Sequence, residues 1–238
     1  MPFFSQAIAA SKSVLIPRIS TTDLMWYYDP LNPNSYDGSS SVLSSLYTAT
    51  SKDLSITGGP IYDSSGFFDY DGVNDQMKGF HTTTTNQEIT VGIWVKADTL
   101  GTAQNCAFGG GIYSGAGMTL SLSFGNFSGV GVEMRMPIRH SGGVILTSNL
   151  RAQGANYAST GVWRFYVGRI WSNGDAQLTA LNTSTNNLDY RPLETNYSAD
   201  VNSTNKPTTL GSFAYQASYL NGKIAEVFAH DRAITTTK

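Results

Sequence analysis

Asp69, Asp71, Asn74 and Asp75 put three carboxylates and one amide into a single short segment. Calcium takes about six to eight oxygen ligands, and a carboxylate-rich turn supplies several of them along with backbone carbonyls. The segment is therefore a candidate calcium site, although its spacing is not that of an EF-hand loop. The same residues suit a second role, in which Asp71 and Asp75 accept hydrogen bonds from nearby backbone N–H groups and close a turn. Tyrosines offer a different chemistry. Tyr157, Tyr190, Tyr197 and Tyr215 lie in polar, loop-like stretches. A sugar ring stacks its C–H face on an aromatic ring while Asn or Asp side chains take its hydroxyls. A protein interface uses tyrosine equally well, and the sequence leaves both uses open.

Catalytic patterns are missing. A glycoside hydrolase needs two carboxylates across the scissile bond, about 5–5.5 Å apart for retention or about 6.5–9.5 Å for inversion. One strand can deliver them as E-x-D-x-x-E, which this chain lacks; Glu88, Glu133, Glu194 and Glu226 stand isolated. Beside His81, His140 and His230 there is no G-x-S-x-G elbow. H-E-x-x-H and the phosphate-binding G-x-x-x-x-G-K-[ST] are absent too. Cys106 is the only cysteine, so it reads as a small buried hydrophobe. The expectation is a protein that is not an enzyme.

Strands must position these side chains. Of the 238 residues 40% are hydrophobic, 12% aromatic and 13% charged, with 24 glycines. That balance fits many short strands joined by polar turns rather than disorder. A net charge of −2 offers no basic face for phosphates, so nucleic acid is not an expected partner. No run of about 18 apolar residues suggests a membrane span, and the first residues lack the charge pattern of a secretory signal.

Residues 1–22 read as an N-terminal arm and 23–238 as one domain. Strands are expected at 24–28, 67–70, 88–96, 106–112, 117–124, 130–136, 143–147, 163–171, 176–181, 207–212 and 222–230. Residues 35–66 should hold long loops with one or two short strands, and 183–206 a polar loop. In 89–95 the alternation places Ile89, Val91, Ile93 and Val95 on one face, with Trp94 on the other. Trp94 and Trp163 are expected in the core. Asn173-Gly174 is the strongest hairpin turn. No helical period appears, and turns recur near every tenth residue, as in a sandwich.

Several motifs carry a family resemblance. Tyr70-Asp71-Gly72-Val73-Asn74-Asp75 is followed by Ile89-Thr90 through Trp94-Val95-Lys96, then Gly161-Val162-Trp163. Leu210-Gly211 and Leu220-Asn221-Gly222-Lys223-Ile224-Ala225-Glu226-Val227 through Arg232-Ala233-Ile234-Thr235 close the series. In this order they resemble laminin-G-like, concanavalin A-like domains over roughly residues 24–235. The resemblance implies an all-β jelly-roll sandwich of two antiparallel sheets, calcium near a loop edge, and a structural role for Glu226. Gln76 and Ala225 depart from the family pattern. The opening Leu24-Met25-Trp26-Tyr27-Tyr28-Asp29 with Asn32-Pro33-Asn34-Ser35-Tyr36, and Gly59-Pro60-Ile61-Tyr62 after it, resembles such modules in bacteriophage structural proteins.

That finer resemblance implies a virion location and a non-enzymatic structural protein, as capsid decoration or tail component. Its partners would be other virion proteins and further copies of itself, and it would neither bind nucleic acid nor insert into membranes. The alternative is a carbohydrate-binding adhesin for host glycans; a glycoside hydrolase ranks last.

Overall fold

The structure is a computed structural model. It describes residues 22–47, 52–81, 88–100, 105–111, 118–126, 130–139, 145–153, 157–173, 175–182, 187–190, 206–213 and 216–234. Residues 1–21 of the expected arm lie outside them. The described residues form strands and no helix. In chain order these are β1 (Leu24–Tyr28), β2 (Val42–Leu43), β3 (Leu54–Thr57), β4 (Ile61–Asp63), β5 (Phe67–Asp71) and β6 (Gln76–His81). Next come β7 (Ile89–Ala97), β8 (Asn105–Gly111), β9 (Met118–Asn126), β10 (Val130–Arg139), β11 (Ile145–Gln153) and β12 (Arg164–Ile170). The last are β13 (Ala176–Asn182), β14 (Asn187–Tyr190), β15 (Lys206–Leu210), β16 (Ser212–Phe213), β17 (Gln216–Tyr219) and β18 (Asn221–His230).

Two sheets result. The first runs β14-β13-β12-β7-β18-β5-β4, with β1 also paired to β18. The second runs β11-β10-β9-β8-β15-β6-β3-β2, with β16 and β17 beside β8. The described ladders are antiparallel except for the Tyr219–Cys106 bridge of β17 to β8. The chain is thus an all-β jelly-roll sandwich, as turn spacing and motif order imply. Its main core lies between the sheets, with Phe68, Ile93, Tyr166 and Ile224 from the first meeting Phe108 and Leu122 from the second. Cys106 is fully buried, as expected.

Strand β7 departs from the expected half-burial. Every residue from Ile89 to Val95 is buried, so both faces of this central strand are covered. Glycine at position 92 makes this possible. A Cβ there would come within 2.4 Å of the Phe228 ring, which lies directly over the backbone. Trp94 is indeed buried, but outside the main core: it belongs to a second cluster with Leu181 and Ala225. Trp163 is only half-buried and packs against that second cluster.

The Asp-rich turn changes sheets. β5 pairs with β4 and β18, whereas β6 pairs with β15 and β3. Residues 72–75 therefore carry the chain from one layer to the other. Gly72 has φ +79°, a left-handed conformation in which glycine avoids the side-chain penalty.

Candidate functional site: an aromatic patch framed by carboxylates

The second cluster lies on the face of the first sheet turned away from the main core. In β12, Tyr166 packs in the main core while its neighbour Phe165 packs in the second cluster. In β7, Ile93 and Val95 face inward and Trp94 outward. Period-two side-chain alternation produces this division. Ladder register then lines up Leu181, Phe165, Trp94 and Glu226 across four neighbouring strands. The Trp94 and Phe165 rings are 5.1 Å apart, and Phe165 lies 6.0 Å from Phe228. Phe67 of β5 meets Trp163 edge-on at 5.7 Å. Phe67, Trp163 and Phe165 are half-buried. Trp94 Nε1 is buried with no hydrogen-bond partner; a donor left in that state costs about 1–3 kcal/mol.

Charged groups border the aromatic rings. Lys223 stands opposite Asp69 on β5 and opposite Lys96 on β7. Its Nζ lies 2.9 Å from Asp69 Oδ2 and 2.5 Å from Asp98 Oδ2. Burial pulls the Lys223 ammonium down, but hydrogen bonds to Asp98 and Asp69 outweigh it and hold the group above the usual lysine range. Asp69 shares its strand face with Phe67, two residues or about 7 Å away. Ile61, the partner of Asp69 across the β4–β5 ladder, is 72% exposed. The patch thus combines half-buried ring surface with carboxylate acceptors and an ammonium donor.

Three of the four residues of the candidate calcium site, Asp69, Asp71 and Asp75, have side-chain partners within the chain. Asp69 Oδ2 pairs with Lys223. Asp71 Oδ1 accepts from the Val73 N–H at 2.7 Å and the Asn74 N–H at 3.4 Å. Asp75 Oδ2 accepts from the Asp71 N–H at 2.9 Å, and burial raises the Asp75 carboxyl above its ordinary value. Asn74 is exposed, and its carbonyl lies against Gly58. The Asp71 and Asp75 bonds are those of the turn-closing role. Among the described residues no group of three or more His, Cys, Asp and Glu is placed to hold a metal ion.

Of the four candidate tyrosines, Tyr157 and Tyr190 lie among the described residues. Tyr157 is half-buried, and its carbonyl accepts from the Tyr166 hydroxyl. Tyr190 lies on β14, its backbone opposite Thr179. Tyr197 and Tyr215 lie outside the described residues.

Two glutamates also have defined places. Glu226 is 1% exposed and accepts the Tyr27 hydroxyl on Oε1 at 2.6 Å, tying β1 to β18. Glu88 accepts from Ser172 Oγ at 2.9 Å and from the Ala233 N–H at 3.2 Å. Burial pushes the Glu88 carboxyl up, and these bonds overcome it and hold it low. Glu133 is on β10, and Glu194 lies outside the described residues. Asp69 and Asp98 approach one another through their shared partner, the Lys223 ammonium.

No family model matches the chain, and no curated protein does. Solved structures do match. One is the receptor binding domain of botulinum neurotoxin C/D mosaic serotype, with TM-score 0.62 and 10% identity, covering 91% of this chain and 49% of that one. Another is the botulinum neurotoxin serotype D binding domain, with TM-score 0.61 and 10% identity, covering 90% of this chain and 50% of that one. A third is the botulinum neurotoxin serotype D ligand binding domain in complex with N-acetylneuraminic acid, with TM-score 0.61 and 8% identity, covering 90% of this chain and 49% of that one. The chain spans about half the length of these structures, and at such identity the likeness is one of fold.

Proposed function

We propose that the chain is a carbohydrate-binding module that works by attachment rather than by catalysis. The observation carrying this is the half-buried Phe67–Trp163 pair beside the Asp69–Lys223–Asp98 bracket. A pyranose presents an apolar C–H face and a rim of hydroxyls; ring surface bordered by fixed acceptors and a donor complements both. The neurotoxin domain in complex with N-acetylneuraminic acid supports a sugar ligand over protein docking alone. The resemblance to bacteriophage laminin-G-like modules adds a setting: the module would sit on a virion, among other virion proteins and copies of itself, and hold host glycans. A glycan array probed with the purified chain tests the proposal. Retention on a defined set of glycans is expected, and an array blank both with and without calcium overturns it.

A further inference from the structure

Resting on the carbohydrate-binding role proposed above, we infer that the patch selects neutral over acidic sugars, with Asp69 and Asp98 accepting hydrogen bonds from the hydroxyls of a neutral pyranose stacked at Phe67 and Trp163. A carboxylate only accepts hydrogen bonds, so its natural partners on a sugar are O–H groups. Asp69 and Asp98 each meet Lys223 through Oδ2. Their side chains remain 42% and 33% exposed, which leaves each carboxylate able to take a further donor. The two Oδ2 atoms lie 2.9 and 2.5 Å from one nitrogen, hence no more than about 5.4 Å from each other. Hydroxyls on neighbouring or next-nearest ring carbons have spacings within that range. Lys223 thereby fixes both acceptors before a ligand arrives, which reduces the ordering cost of binding.

The charge around the rings points the same way. Asp63 stands opposite Phe67 across the β4–β5 ladder, and Asp69 and Asp71 follow Phe67 on the same strand face. With Asp98, these carboxylates outnumber the ammonium groups of Lys96 and Lys223 among the described residues. An incoming carboxylate or sulfate would meet this like-charge excess, whereas a neutral ring would not. The ligand class therefore differs from the N-acetylneuraminic acid bound by the serotype D neurotoxin domain.

The test is titration of the intact chain with neutral oligosaccharides and with the same oligosaccharides capped by N-acetylneuraminic acid. Unchanged protein, D69N, D98N and W163A are compared, with a melting curve for each. Neutral sugars should bind at least about tenfold more tightly than capped ones. D69N and D98N should each weaken neutral binding by about tenfold, and W163A by about thirtyfold or more. Capped sugars bound as well as neutral ones, with binding weakened in W163A, would overturn the selectivity while leaving carbohydrate binding intact. Neutral binding unchanged in folded D69N and D98N would remove the two carboxylates from the site. Absence of any sugar binding would instead overturn the carbohydrate role itself. If D69N fails to fold, D98N carries the same test from the other side of Lys223.

Discussion

Replacing Tyr27 by Phe removes the hydroxyl that donates to Glu226 Oε1 at 2.6 Å. Glu226 is 1% exposed, so water cannot readily take the hydroxyl's place. The Tyr27 phenol is held well above its ordinary value by burial and by Glu226, so it remains a donor throughout the accessible pH range. Leaving a buried acceptor without its donor costs about 1–3 kcal/mol. Y27F should therefore cost about 2 kcal/mol. For a domain of this size each kcal/mol moves the melting temperature by about 2–4 °C, which gives a drop of roughly 4–8 °C. Chemical denaturation of Y27F, E226Q and the double variant measures the coupling directly. A coupling above about 1 kcal/mol is expected, with sugar binding retained in E226Q. A Y27F loss below about 0.5 kcal/mol, or abolished binding in a folded E226Q, would refute the structural assignment of Glu226.

Other perturbations probe the frame and the candidate calcium site. Gly211 has φ +80°, and a Cβ there would come within 2.3 Å of Tyr70 Cε1; G211A should cost about 2–4 kcal/mol from the left-handed backbone and overpacking, read as a lowered denaturation midpoint. His230 is 1% exposed, and burial lowers its pKa against the opposing pull of the Thr22 carbonyl and Asp23. Because the unfolded chain takes up that proton first, stability should be full above the ordinary histidine range and fall as pH drops through it; H230Q should flatten the slope between about pH 7 and 5, and an unchanged slope would remove His230 as its source. A chelator should leave the melting temperature unchanged, since Asp69, Asp71 and Asp75 already serve Lys223 and backbone N–H groups. Calcium at a hundred times its dissociation constant would add about 2.7 kcal/mol, so a rise of several degrees on calcium addition would show that the site binds it.

The architecture is readable in the sequence where apolar alternation is long and turns are punctuated. β7, β12 and β18 meet both conditions. β6, β14 and β17 escape notice because Gln76–His81 is broken by Lys78 and Gly79, while Asn187–Tyr190 and Gln216–Tyr219 are short and mostly polar. Their pairing comes from ladder partners far along the chain, which local pattern does not report. The candidate site is harder to read. Alternation separates Phe165 from Tyr166 and Trp94 from Ile93, yet both faces carry large apolar groups, so it does not tell which one meets the opposite sheet. The β18–β5 register sets Lys223 opposite Asp69, two residues from the Phe67 that meets Trp163. The Asp-rich turn was legible in position and in its turn-closing alternative, whereas its passage between sheets follows from strand order alone.

The central claim is that the Trp163 ring holds a sugar. Trp163 is half-buried outside the main core, and its edge-on contact with Phe67 adds about 0.5–1.5 kcal/mol of stability to that of the ring's own burial. W163A should therefore melt below the unchanged chain yet keep its fold, since the main core does not include Trp163. As a stacking residue it should still lose at least about 2 kcal/mol of binding, some thirtyfold in affinity. The deciding measurement is calorimetric titration of W163A and the unchanged chain with an array-identified glycan. Folded W163A with affinity reduced about thirtyfold or more is the predicted result. Folded W163A binding that glycan with undiminished affinity would contradict the account.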